Sequence, residues 1–176
     1  MKRFTAALVA TVVVISGVRA EDRTRSETRE PATEKEFVAK AIACANHEIR
    51  LAELAKKQTK NADVIKFADT IITDHTAMRD KLNDRAKSMN VAIVEGEKAY
   101  GKEQQDQYNH LKTLTNAEFD KTYAKTMVEN HEKAIKMAET WSTKATDKDL
   151  GTVSTDCVAK LKEHKKMAED LKAKVG

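Results

Sequence analysis

Four polar residues stand where a helical core calls for apolar ones: Glu48, His75, His131 and His164. Each falls on the apolar stripe of its own predicted helix and near its middle, so a four-helix packing brings all four to one layer. Three imidazoles and a carboxylate are ligands for zinc, copper or iron, because neutral nitrogen lone pairs and an anionic oxygen can replace water around the ion. Asp74 and Glu163 adjoin two of these histidines in sequence and are candidates for supporting hydrogen bonds from just outside the ligands. Met78, Met127 and Met167 lie near the same layer, where thioethers favour a soft ion such as copper.

The same residues have a second reading. A buried glutamate paired with buried histidines can be a satisfied polar layer that sets helix register and binds no metal. The chain is then a non-catalytic structural or interaction module of the cell envelope, meeting a protein partner through its exposed faces or charged N-terminal tail. His47, one position round from Glu48, and His110 read as surface residues.

The elements that must carry these side chains follow from periodicity. Thr33 with Glu36 forms a capping box before a helix over 34–59, whose stripe runs Phe37, Ala41, Cys44, Glu48, Leu51, Ala55. Asn61 caps a second over 62–89 with Val64, Phe67, Ala68, Ile71, His75, Met78, Leu82 and Met89. The stretch from Val91 to Leu114 holds Gly96 and Gly101 and a short helix from Lys102, and it is long enough to span a bundle. Thr115 or Asn116 opens a third long helix, 116–144, with Phe119, Tyr123, Met127, His131, Ala134, Ala138 and Trp141. Thr146 or Asp147 opens the fourth, 147–174, with Leu150, Val153, Cys157, Leu161, His164, Ala168 and Leu171. No window alternates as a strand. The expected fold is all-α, an antiparallel four-helix bundle over 33–175.

Asn46-His47-Glu48 recurs as Asn130-His131-Glu132, and His75-x-x-Met78-x-x-x-Leu82 as His164-x-x-Met167-x-x-x-Leu171, the pattern of a duplicated helical hairpin.

Residues 1–20 read as a secretory signal peptide: Lys2 and Arg3 precede an apolar run from Phe4 to Val18, and Val18-Arg19-Ala20 sets a cut after Ala20. The run is shorter than the ~20 residues that cross a bilayer, and no cysteine follows it for a lipid anchor. The expected location is periplasmic or secreted, with no membrane span once the leader is gone. Losing Lys2, Arg3 and Arg19 lowers the formal charge from +4 to +1, and the remaining charges interleave. That pattern is a solvated helix surface and points away from nucleic acid. Residues 21–32, charged and ending near Pro31, the single proline, read as a disordered tether. The chain has no glycine-rich phosphate loop, no serine in a nucleophile-elbow context and no activated cysteine, so no enzyme activity is expected.

Taken together these residues resemble the exported bacterial ferritin-like family known as domain of unknown function 4142, over Phe37 to Leu171. The resemblance rests on Phe37-Val38 and His47-Glu48-Ile49-x-Leu51-Ala52, then Val64-x-x-Phe67-Ala68 and Asp74-His75-Thr76. It continues through Phe119-Asp120-x-x-Tyr123, Met127-Val128-x-x-His131-Glu132 and Leu161-x-x-His164. It implies a ferritin-like bundle, export and a link to metals, without a known reaction. The family tends to place proline five residues before the last histidine; here Ala159 stands there, which should straighten the last helix. Ferritin-like di-iron enzymes carry Glu-x-x-His on two helices. The residues three before His75, His131 and His164 are Ile72, Val128 and Leu161, so that carboxylate site is absent.

Cys44 and Cys157 are expected to be free thiols. If the first and last helices are antiparallel neighbours, the two lie about 16 Å apart along the axis at 1.5 Å per residue. A ferritin-like crossover makes them level but puts their helices on a diagonal. Neither arrangement readily gives the ~5.5 Å Cα separation a disulfide prefers.

Overall fold

The computed structural model describes residues 29–176. The expected leader and residues 21–28 of the expected tether lie outside that range. Among the described residues there are five α-helices, α1 (Glu34–Gln58), α2 (Ala62–Ser88), α3 (Lys102–Lys112), α4 (Asn116–Lys144) and α5 (Lys148–Val175), with a 3₁₀ turn at Gly96–Ala99. No strand occurs among the described residues.

Local chemistry accounts for the helix starts. Thr33 Oγ1 accepts from Glu36 N at 3.2 Å, Asn61 Oδ1 from Asp63 N at 3.0 Å, and Asp147 Oδ1 from Leu150 N at 3.0 Å. Each satisfies an amide that has no partner within its helix. Glu36 reaches back one residue further than a standard capping box, taking Ala32 N at 2.8 Å. Residues 29–32, expected to end the tether, instead lie against α1: Pro31 is buried and Lys40 Nζ donates to Arg29 O at 2.8 Å. Glu34 Oε1 accepts from the amide of Asp147 at 3.0 Å, tying the start of α1 to the α4–α5 turn.

The two ends of the bundle fix its connectivity. One end gathers Phe37 and Ile42 of α1, Leu82 of α2, Met137 and Trp141 of α4 and Leu150 of α5. The other gathers Leu51 and Leu54 of α1, Val64 and Phe67 of α2, Phe119 and Tyr123 of α4 and Leu171 of α5. Hence α1 and α5 run one way, and α2 and α4 the other. The packed neighbours are α1 with α2, α4 with α5, α2 with α5 and α1 with α4, every pair antiparallel. The chain leaves α2 at the Trp141 end and begins α4 at the Tyr123 end, so residues 89–115 cross the full length of the bundle. That is ferritin-like connectivity, with α3 lying over the α1–α4 groove.

Aromatic pairs close both ends. Phe37 stacks on Trp141 at 5.3 Å, while Phe119 stacks on Tyr123 at 5.5 Å, and Phe67 meets Tyr123 edge-on at 6.1 Å. The crossover is pinned by Arg50, whose guanidinium sits 3.5 Å from the Tyr108 ring centre and 4.9 Å from that of Tyr100. Gln58 adds bonds to the carbonyls of Lys112 and Leu114. With alanine at 159, α5 is unbroken. No helix among the described residues is long and apolar enough to cross a membrane.

Candidate metal centre

Between the two aromatic ends lies a polar layer. His75 of α2, His131 of α4 and His164 of α5 are each at most 2% exposed. His75 and His164 stack at 5.2 Å between ring centres, and His131 meets both edge-on at 5.5 Å. One nitrogen from each ring lies within 4.8 Å of the others. Three nitrogens bound to one ion at 2.0–2.1 Å sit about 3.3–3.6 Å apart, so ring rotations of about an ångström would close the set.

Hydrogen bonding fixes two of the tautomers. His131 Nδ1 is 2.8 Å from Met127 O, a carbonyl, so that nitrogen carries the proton and donates. His164 Nε2 donates to Asp74 Oδ2 at 2.9 Å. The lone pairs therefore sit on His131 Nε2 and His164 Nδ1, and neither atom has a hydrogen-bond partner. Both nitrogens of His75 are likewise without one. Backbone carbonyl and carboxylate behind the imidazole is the usual support of a metal-binding histidine. Burial holds His75 well below the ordinary imidazole range and His131 down at about 4 against the opposing pull of the Met127 carbonyl. Burial also lowers His164, opposed by Asp74. All three are neutral at pH 7 and keep their lone pairs.

The structure separates Glu48 from this cluster. Its Oε1 accepts from Asn130 Nδ2 at 2.9 Å, and its Oε2 lies 4.0 Å from His131 Nδ1, the nitrogen committed to Met127. The carboxyl thus flanks His131 on the side away from the lone pairs, because its helix α1 packs on α4 and lies diagonal to α5. Burial pushes its acidity up to about 8, against the Asn130 hydrogen bond, so it is mostly protonated at pH 7. Of the two supporting carboxylates, Asp74 touches His164; Glu163 projects to solvent and pairs with Lys160 at 2.8 Å. Lys160 Nζ is in turn 3.7 Å from Asp74.

His47, expected at the surface, is 2% exposed. The crossover helix α3 covers that face of α1, and His47 Nε2 is 2.9 Å from Gln107 Oε1. Gln107 Nε2 donates to Asn130 Oδ1 at 3.0 Å, which joins His47, Gln107, Asn130 and Glu48 in one chain of hydrogen bonds. No periodicity within α1 reveals this, since the covering element comes from sixty positions along the chain. His110 is exposed, as expected.

A cavity of about 750 Å³ opens on the Trp141 side of the layer and reaches His75, His131 and Glu48. Alanines at 41, 45, 134 and 138 line it. Small side chains on facing helices leave the space that larger ones would fill.

Because raising Glu48 above its unfolded value favours the neutral form, its contribution to folding is fully present below about 4.5 and lost as pH rises through about 8. In metal-free protein, Glu48→Gln should therefore gain several degrees of melting temperature relative to wild type between pH 6 and pH 9. Parallel pH curves for the two proteins would contradict this.

Comparison with known proteins places these features in context. No curated protein sequence matches the chain. Among solved structures, CopM in its Cu(I)-bound form matches with a TM-score of 0.65 and 17% identity, covering 80% of this chain and 95% of that one. CopM in its Cu(II)-bound form gives 0.63 and 16%, with the same coverage. A DUF305 protein from Streptomyces coelicolor gives 0.68 and 15%, covering 80% and 91%. At such identities the likeness is one of fold. Residues 20–171 match the family described as "Domain of unknown function (DUF4142)", and the chain belongs to that family.

Proposed function

We propose that this bundle is an exported, non-catalytic protein that holds one transition-metal ion, copper by preference, on His75, His131 and His164. The observation that carries the reading is the set of three buried imidazoles that each bring one nitrogen within 4.8 Å of the others, every ring keeping an unpartnered nitrogen and two of them oriented from behind by Met127 O and Asp74. Leaving such nitrogens buried without a partner costs stability, and a bound cation would recover it. Imidazole ligands suit copper, zinc and iron. The copper-bound structures of CopM, a protein of the same fold, favour copper among them. The cavity adjoining His75 and His131 leaves a side for a further donor. Storage, buffering or sensing fits a bundle without an activated nucleophile or acid–base pair. The leader pattern of residues 1–20, and a DUF305 neighbour whose description proposes secretion, support export to the periplasm or beyond.

Elemental analysis of untagged protein tests the reading, with near-stoichiometric copper, zinc or iron as the expected result. Metal-free protein whose melting temperature ignores added copper, zinc and iron would overturn it. Asp74→Asn should lower metal affinity about 10–100-fold, by weakening the hold on the His164 tautomer. Competition with a chelator of known affinity checks this, and unchanged affinity would remove Asp74 from the site.

The hydrogen-bonded chain from His47 to Glu48 favours a second role for the layer, which is to set the register of α1, α3 and α4. This role is compatible with the first, since it uses different side chains.

A further inference from the structure

The cavity on the Trp141 side of the layer is larger than ordinary packing leaves. Close-packed interiors hold few voids bigger than a water molecule, whereas about 750 Å³ lies within the roughly 300–1,000 Å³ that small-molecule sites occupy. Its inner end is polar. Of the eleven buried side-chain polar atoms without a hydrogen-bond partner among the described residues, five belong to residues lining this one cavity: His47 Nδ1, Glu48 Oε2, both nitrogens of His75 and His131 Nε2. A metal ion on the imidazoles accounts for one nitrogen each of His75 and His131 and leaves Glu48 Oε2 unpaired. Beyond that end the walls are small or apolar. Ala45 lies one turn from Glu48 and Ala134 one turn from His131, both toward the Trp141 end, with Ile42 and Met137 further on. The outer lining includes irregular backbone, residues 29–31 and 92–94, where the apolar side chain of Val94 is 56% exposed.

We propose that this cavity binds a neutral, mostly hydrocarbon molecule carrying one hydroxyl group, with the hydroxyl against Glu48 and the hydrocarbon body among the small and apolar walls. The proposal goes beyond the metal reading and holds with or without an ion on the imidazoles. A hydroxyl both donates and accepts, so it pairs with Glu48 Oε2 whether or not the carboxyl carries its proton. No lysine or arginine pairs with Glu48 among the described residues; its contacts are Asn130 and His131. An anionic group placed there loses its hydration and gains no countercharge. Away from Glu48 the cavity is lined by five basic side chains, Lys98 and Lys136 among them, and three acidic ones. That balance opposes entry of a cation and offers a carboxylate a rival seat at the mouth, so both charged heads belong in the test. The hydrocarbon body supplies the affinity, about fourfold for each methylene taken out of water.

The test is isothermal titration calorimetry of the metal-free protein with straight-chain primary alcohols from butanol to octanol, and with octanoate and octylamine. Affinity is expected to rise about fourfold per added methylene, and octanol to bind at least about tenfold tighter than either charged analogue. Glu48→Leu should weaken octanol about five- to tenfold by removing the partner of the hydroxyl. Ala134→Phe, which fills the space beside His131, should abolish octanol binding. The chain-length series needs no variant, so it decides the matter even where a substitution misfolds. Absence of saturable octanol binding, or equal affinity along the series, overturns the cavity as a ligand site. Tighter binding of octanoate or octylamine overturns the neutral head group, and unchanged octanol affinity in folded Glu48→Leu or Ala134→Phe overturns the placement. Because the protein is metal-free throughout, none of these results touches the imidazole centre, which elemental analysis tests separately.

Discussion

Replacing His75 with alanine is expected to lower copper affinity by more than a hundredfold. His75 is the imidazole with no protein partner on either nitrogen, and it touches both of the others. Loss of a supporting residue behind a ligand already costs about 10–100-fold, and loss of the ligand itself costs more. The variant separates metal binding from folding. A ligand at 100 times its Kd stabilises a native state by about 2.7 kcal/mol, so wild type should gain several degrees of melting temperature on adding copper. His75→Ala should gain none. Its metal-free form should melt close to metal-free wild type, because removing a buried, unpaired polar group offsets part of the cost of the cavity left behind. A variant that melts far below metal-free wild type would assign His75 to structure. A copper affinity equal to wild type would remove it from the centre.

Phe119→Ala should instead destabilise the fold and spare the site. Phe119 is fully buried at the Tyr123 end, stacked on Tyr123, which in turn meets Phe67. Truncating a buried phenylalanine costs about 3–5 kcal/mol through lost transfer energy and the cavity left behind. That is a large share of a typical stability of about 5–15 kcal/mol, and should lower the melting temperature by roughly 10 °C. His131 lies twelve residues further along α4, about 18 Å away at 1.5 Å per residue. Copper affinity at a temperature where the variant is folded should therefore match wild type. Thermal melts and chelator competition on the same preparation check both halves. A weakened copper affinity in fully folded Phe119→Ala would mean that packing at this end positions the imidazoles.

The contrast between these variants shows how much was legible in the chain. The helix stripes were readable because a residue's angular position depends only on its own helix, 3.6 residues per turn. That places Phe119 and Tyr123 in the core, and it puts His75, His131 and His164 on inward faces at mid-length. Where helices are of similar length and pack side by side, mid-length inward residues meet.

Glu48 shows where such reasoning stops. It too is inward and at mid-length, yet it faces the back of His131, because α1 is diagonal to α5 and neighbours α4. The sequence repeat makes the same point: Asn46-His47-Glu48 and Asn130-His131-Glu132 are alike in residue type and unlike in role. His131 joins the imidazole cluster, while His47 lies under α3 and bonds to Gln107. The difference comes from the crossover segment, which lies over the α1–α4 groove and covers His47 while leaving His131 facing the bundle interior.

Helical character, the inward faces, the leader pattern and the presence of three histidines near one level all follow from local spacing and composition. Which helices are neighbours, which side of His131 the glutamate occupies, and the burial of His47 depend on the path of residues 89–115. Local periodicity carries no information about that path. It is settled by the mutual burial of faces that lie far apart in the chain.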